Sequence, residues 1–376
     1  MRIVMVISGL GFGGAERQVV LLSRELVRRG HAVLVYTLNN HVPRRNELAG
    51  SGVELVVDQK RWRVDPAVLR RLRQTVVRWG ADLVHGFLYD AHLYARLACA
   101  GLGLPTLNSE RSEGYRLSVL QRLGYRLTAR LTDGVVANSH AGAAFACRLH
   151  RLPARDVHVV WNGIDLREID ARLAAPGGSA RSLMPPGAKV VGVVGMIKPA
   201  KDHLLALRVC RELATRESRW RGLFVGDSLH DSDDAFKRHV LEEWRRLGLE
   251  SMVVFTGVRD DVPELVASCD VLLVTSHYEG FPNVVLEAMS CGTPVATTDY
   301  SDVRRIVPFR WQVASSRSAS ALADIVERCH RERATVARAQ RAWVERHADV
   351  ARAADALLQV YEGYRGGPVS TVARAQ

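Results

Sequence analysis

The chain has 376 residues, 47% of them hydrophobic and 24% charged, the composition of an ordinary globular protein with room for two domains. Its apolar runs are strand-sized and none approaches the roughly 20 residues of a membrane span, which excludes a protein built on spanning helices. The formal net charge of +12 is uneven: residues 1–165 hold 23 Lys+Arg against 13 Asp+Glu, net +10, and residues 166–376 hold 29 against 27, net +2. An anionic partner is therefore expected at the first half.

Residues 2–8 read as a buried strand, with one basic residue and too short an apolar run for a signal peptide, so a cytoplasmic protein is expected. Gly9, Gly11 and Gly14 then turn the chain into a helix over 15–30 with Val19, Leu22, Leu26 and Val27 on one face. This glycine spacing also fits a dinucleotide fingerprint. Such a site wants an acid at the end of the second strand (32–37), where the chain has Leu38-Asn39-Asn40, so NAD binding is the weaker reading. A strand over 53–57, a helix over 66–79 and strands over 83–85, 105–108, 134–137 and 157–161 complete the first half.

Between these, residues 116–131 predict a helix with Leu117, Leu120, Leu123, Leu127 and Leu131 along one stripe. Arg122, Arg126 and Arg130 follow on the adjoining face. The leucines are expected to pack on the protein's own core, and the arginines to be drawn to an anionic membrane surface.

A turn-rich, mobile linker is expected over 166–188, and a second sheet opens with the strand 189–194. A strand over 223–226 is followed by Asp231-Ser232-Asp233-Asp234, whose Asp-x-Asp spelling suggests a divalent metal. The basic amphipathic helix after it, with Phe236, Val240 and Leu241, favours an acidic helix start instead. A strand over 271–275 follows, then a helix N-capped by Asn283 with Val285, Ala288 and Met289 inward, stopped by Gly292 and Pro294. An amphipathic stretch over 334–364 ends the chain. The six cysteines are scattered without paired metal-ligand spacing and are expected to be free thiols. Strands alternating with helices throughout indicate α/β, doubly wound parallel sheets that bind ligands at their carboxyl edges.

At one such edge stand two carboxylates, Glu279 in the loop and Glu287 on the helix, either able to accept two hydroxyls of a sugar diol. The intervening turn, Gly280, Phe281, Pro282 and Asn283, is expected to offer backbone amides at a helix N-terminus. With Glu287-Ala288-Met289, Cys291-Gly292 and Thr293-Pro294-Val295, this stretch resembles the Glu-x7-Glu signature of the family 4 retaining glycosyltransferases. The resemblance implies a GT-B fold, two Rossmann-like doubly wound domains facing across a cleft. It implies an acceptor domain over 1–165 and a nucleotide-sugar donor domain over 166–350. A helix over 351–366 would cross back to the first domain, with a disordered tail over 367–376.

By the same resemblance Glu287 binds the nucleotide ribose, and Glu279 with the amides of 280–283 meets the donor sugar. Gly13-Gly14-Ala15-Glu16 is similar to the family's Gly-Gly-Ala-Glu turn near the donor phosphates, and Asn162-Gly163-Ile164-Asp165 to its interdomain sequence. The loop from Gly195 to Lys201 is similar to the family's Gly-Arg-Leu-x-x-x-Lys loop, which binds the leaving diphosphate. Lys201 matches; Met196 stands in the arginine's place, with Lys198 a candidate replacement. The segment from Val253 to Arg259 resembles the strand and loop beside the base, which assigns Arg259 to the donor. Where relatives place a first-domain histidine, the chain has Arg111, with His85 and His92 as alternatives.

Glu279, Lys201 and Arg111 are thus the expected catalytic residues. The donor is expected to be UDP- or GDP-linked and handled without a metal ion. The acceptor is expected to be lipid-linked or a saccharide, in bacterial cell-surface polysaccharide, lipopolysaccharide or glycolipid synthesis at the cytoplasmic face of the inner membrane, with no nucleic acid involved. A GT-B sugar-nucleotide 2-epimerase and a non-catalytic sugar-nucleotide binder are the alternatives.

Overall fold

Apolar strands alternating with amphipathic helices build two separate parallel sheets. The computed structural model describes every residue except 63, 112–117, 151, 176–179, 229–232 and 366–376. It divides into one unit of Met1–Gly163 with Val350–Gln376 and a second of Ile164–Asp349.

The first unit runs β1 (Arg2–Ile7), α1 (Gly14–Arg28), β2 (Ala32–Thr37), β3 (Glu54–Val57), α2 (Pro66–Trp79), β4 (Leu83–Phe87), α3 (Tyr89–Cys99), β5 (Thr106–Glu110), α4 (Val119–Thr128), β6 (Gly134–Ala137), α5 (His140–His150) and β7 (Val157–Val159). Its seven strands are parallel in the order β3-β2-β1-β4-β5-β6-β7. Side chains alternate across a strand, so Ile3, Met5 and Ile7 of β1 pack with Val19, Leu22 and Leu26 of α1, while Val4 and Val6 pack with the helices of the opposite face. The last helix of the chain, which becomes α14 below, also belongs to this unit and covers the α1 side with Ala354, Leu357 and Tyr361. Arg29, the C-cap of α1, fastens it by an ion pair to Asp355 and a hydrogen bond to the carbonyl of Ala351.

The second unit continues with α6 (Leu166–Ala174), β8 (Lys189–Val194), α7 (His203–Arg216), β9 (Trp220–Val225), α8 (Asp234–Arg246), β10 (Val253–Phe255), α9 (Val262–Ser268), β11 (Val271–Val274), α10 (Asn283–Ser290), β12 (Val295–Thr297), α11 (Val303–Ile306), α12 (Ala319–Arg331) and α13 (Arg333–His347). The chain then returns to the first unit as α14 (Val350–Arg365). The five parallel strands lie in the order β10-β9-β8-β11-β12. No described helix is long and apolar enough to cross a membrane.

Several expectations change here. Residues 166–174 are not mobile linker but helix α6, started by the Asp165 carboxylate on the amides of Arg167 and Glu168 and fastened by Arg172 to Glu264. The closing amphipathic stretch is two helices, broken between His347 and Val350. Helices α3 and α5 have no counterpart in the sequence reading. In α3 the inward positions include His92 and Arg96, both fully buried, so the apolar period that marks a helix is interrupted by polar residues. The predicted disordered tail beyond residue 366 lies outside the described residues, as do residues 116 and 117 of the predicted leucine helix.

Leu357 is buried between α14 and the sheet. Leu357→Ala is expected to lower stability in urea unfolding by about 2–5 kcal/mol; a loss below about 0.5 kcal/mol would show that α14 is not part of this core.

Candidate functional site

In the second sheet β8 lies between β9 and β11, so successive connections leave it in opposite directions, and the loops after β8 and β11 emerge side by side at the carboxyl edge. Glycine geometry allows this edge to close up. Gly195 after β8 and Gly226 after β9 have φ of +148° and +128°, and a Cβ on Gly226 would stand 2.2 Å from the Gly195 carbonyl oxygen. A Cβ on Gly195 would lie 3.4 Å from Cε of Lys201, so the lysine stem runs directly over the glycine.

Lys201 Nζ lies 2.5 Å from Oε2 of Glu279, and Ser276 Oγ donates to the other oxygen, Oε1, at 2.6 Å. The two charged side chains are only 16% and 14% exposed, so their attraction is screened less than that of a surface pair. Lys198 stands near them, its ammonium held below the usual lysine range by burial and then by the like charge of Lys201. Met196 is half-buried in the same loop.

The two loops are laced together by groups that no motif singled out. Asp202 has φ +49° and caps α7 through the amide of Leu205. Its second oxygen accepts from Arg317 at 2.6 Å, with His277 Nε2 at 3.2 Å. Arg317 also donates to the carbonyls of Thr275 at 2.7 Å and Ser276 at 3.0 Å. Thr275 Oγ1 lies 2.9 Å from the carbonyls of both Lys201 and Asp202, and the amide of His277 donates to Ala200 at 2.8 Å. Arg317 carries no local signal in the sequence: it is one of 52 Lys+Arg and stands 38 positions beyond Glu279.

The turn into α10 differs from expectation. The N-cap is Pro282 without a side-chain cap bond, and Asn283 is the first helical residue. Pro282 has no amide hydrogen and the Asn283 amide is spent on the Phe281 carbonyl at 2.9 Å. The amides of Gly280, Phe281 and Val284 are those with no acceptor among the described residues. Buried Phe281 and Pro282 anchor this turn, and half-buried Glu287 sits one helical turn beyond Asn283. Arg259, expected at the donor, is exposed and donates from Nε and Nη2 to the two carboxylate oxygens of Asp261, at 2.8 and 2.7 Å.

In the first unit Gly13 is the N-cap of α1 and Gly14 its first residue. A Cβ on Gly13 would meet Glu16 Oε2 at 2.3 Å, so the glycine lets that carboxylate fold back. Arg111 follows β5 and donates to Ser109 Oγ at 2.8 Å and Asn162 Oδ1 at 2.5 Å, above the ring of Phe87. Burial pulls its guanidinium down to about 10.

Both histidine alternatives are buried. His92 receives the Tyr125 hydroxyl at Nδ1 (2.6 Å) and donates from Nε2 to the Ser109 carbonyl (3.0 Å), so both nitrogens are committed. His85 is fully buried with Nδ1 on the Tyr361 hydroxyl at 2.7 Å. Burial holds both rings well below the usual histidine range, hence neutral. Among the described residues no group of three His, Cys, Asp or Glu is placed to hold a metal ion. Asp231 lies outside them, and Asp233 and Asp234 stand at the start of α8.

Two family models match the chain: Glycosyltransferase Family 4 over residues 12–168 and Glycosyl transferases group 1 over residues 188–332. The chain is 29% identical to 2-deoxystreptamine N-acetyl-D-glucosaminyltransferase of Streptomyces fradiae, across 94% of this chain and 90% of that protein. It is 30% identical to D-inositol 3-phosphate glycosyltransferase 2 of Catenulispora acidiphila, across 64% of this chain and 59% of that one. Among solved structures, HepE of Anabaena in complex with UDP superposes with a TM-score of 0.82 at 21% identity, covering 96% of this chain and all of that one. Its complex with UDP-glucose gives 0.80 at 22% identity, over 97% of this chain and all of HepE.

Arg317→Ala is expected to free the Asp202 loop from the strand end beside it, at a cost of about 1–2 kcal/mol. Hydrogen exchange at the His277 amide should accelerate about tenfold or more; unchanged exchange would show that Thr275 and the backbone bonds hold the loops without it.

Proposed function

Because this chain is a glycosyltransferase of family 4 with the GT-B fold, we propose that it moves a hexosyl group from a nucleoside diphosphate sugar to an acceptor hydroxyl with retention of anomeric configuration. The observation that carries this reading is the Lys201–Glu279 pair at the switch point of the second sheet, beside the Gly280, Phe281 and Val284 amides. A cation and a carboxylate that close together are suited to be parted by a ligand carrying both an anion and hydroxyls. The diphosphate takes Lys201, with Lys198 beside it, and the sugar hydroxyls take Glu279 and the amides. Glu287 accepts from the ribose diol. Support for a nucleotide sugar also comes from HepE, whose structures hold UDP and UDP-glucose.

In the reaction the bond between the sugar's anomeric carbon and the β-phosphate oxygen breaks. The acceptor oxygen bonds that carbon on the same face, and its proton passes to the departing phosphate. The two lysines and the backbone dipoles stabilise the charge that develops on the diphosphate, an electrostatic role fixed before the reaction begins and needing no metal ion. Arg111, a half-buried cation bonded to Ser109 and Asn162, is assigned to the donor sugar or phosphates. The acceptor, lipid-linked or a saccharide, is assigned to the first unit, in cell-surface polysaccharide, lipopolysaccharide or glycolipid synthesis. A 2-epimerase would share the nucleotide site but need an acid and a base at the sugar's C2, a pair that the sequence does not identify.

Glu287→Gln is expected to weaken binding of free UDP or GDP by about 1.5–3 kcal/mol in calorimetry, while Glu279→Gln leaves nucleotide affinity within about threefold and lowers turnover. Unchanged nucleotide affinity in the Glu287 variant would remove the ribose from that carboxylate.

A further inference from the structure

Helix α4 is amphipathic the wrong way round for a helix that packs on a core. Its inward arc is polar: Tyr125 and Thr128 are buried, and Gly124 lies at its edge, where a Cβ would come within 3.2 Å of the Tyr89 hydroxyl. Polar bonds hold this arc to the body. The Tyr125 hydroxyl goes to His92 (2.6 Å), Thr128 Oγ1 accepts from the buried Arg96 (3.1 Å), and Tyr89 donates to the Gln121 carbonyl (3.1 Å). Ser118 and Gln121 close a capping box at the start, fixing where the helix begins.

The apolar residues point the other way. Val119, Leu120, Leu123 and Leu127 are 78%, 71%, 47% and 75% exposed. At about 100° per residue they share one arc of roughly 100°, opposite Tyr125 and Thr128. The leucine stripe therefore does not pack on the protein's own core, contrary to the expectation from sequence. Arg122, Arg126 and Arg130 are exposed and flank the stripe, and no acidic residue occurs between Ser118 and Leu131. The unit that carries α4 (Met1–Gly163 with Val350–Gln376) holds 26 Lys+Arg against 14 Asp+Glu, net +12; the other unit holds 26 against 26, net zero. All of the net charge thus resides in the unit with the exposed apolar helix.

We propose that α4 docks the protein on an anionic lipid bilayer, with Val119, Leu120, Leu123 and Leu127 entering the interface and Arg122, Arg126 and Arg130 meeting the headgroups. The charge complementarity selects an anionic surface, and the apolar arc adds a contribution that salt does not screen. This docking stands apart from the glycosyl transfer proposed above and does not depend on the donor or the acceptor.

The test is co-sedimentation of the full chain with phosphatidylcholine vesicles, with or without phosphatidylglycerol, at low and high salt. Wild type should prefer the anionic vesicles and weaken, without being lost, as salt rises. Arg122→Glu with Arg126→Glu and Arg130→Glu should lower partitioning on the order of a hundredfold, at about fivefold per arginine. Leu120→Gln with Leu123→Gln and Leu127→Gln should abolish the salt-resistant fraction while its thermal melt stays that of wild type, since these side chains are exposed. Partitioning equal in all three proteins, or indifferent to lipid charge, overturns the proposal. So does a wild-type dimer that ignores vesicles and that the leucine variant converts to monomer, because the face then belongs to a second copy of the chain.

Discussion

The second unit depends on one charged pair set over a glycine floor. Lys201 and Glu279 come from loops that are 78 positions apart in sequence, and they meet because β8 and β11 are neighbours in the sheet. The closeness of Gly195 and Gly226 removes the side chains that would stand in the way. Arg317, Thr275 and the His277 amide then bind the loops to each other, so that neither charged group must search for its position. A partly shielded ion pair of this kind contributes little to net stability, because desolvation offsets most of the attraction. What it provides is placement: a cation and a carboxylate fixed side by side at a helix N-terminus.

In the first unit the organising element is a polar core instead. Arg96, fully buried, donates to His150 Nδ1 at 2.7 Å and to Thr128. His92 bridges Tyr125 to the end of β5, and Glu110 there accepts the amide of Arg111 at 3.0 Å. This network does two things at once. It fixes the β5 end that carries Arg111, and it holds α4 by the helix's polar side. An arrangement that satisfies buried polar groups inward leaves the leucines facing out.

The alternation of strands and helices was legible in the sequence because buried parallel strands are continuous apolar runs: 32–37, 134–137 and 189–194 coincide with β2, β6 and β8. The Glu279-to-Glu287 stretch was legible because its wording is specific, and both glutamates fall in the loop and helix expected. Other features were hidden for physical reasons. Helix α3 carries buried polar residues inward, and α4 carries its leucines outward, so hydrophobic periodicity missed the first and misdirected the second. The capping reading of Asn283 failed by one residue, since Pro282 fits the cap position that precedes a helix. Arg317 was invisible because a long-range tie to backbone carbonyls leaves no local pattern.

The proposed chemistry assigns to protein cations, with no metal ion, the stabilisation of a diphosphate leaving on the face that is then attacked. It is tested most directly by incubating the protein with UDP- and GDP-hexoses in EDTA and recording by proton NMR the anomer first released or transferred. Turnover in EDTA is expected, with a first product of the donor's own anomeric configuration. Inversion at the anomeric carbon, or turnover that appears only when a divalent ion is restored, would contradict it.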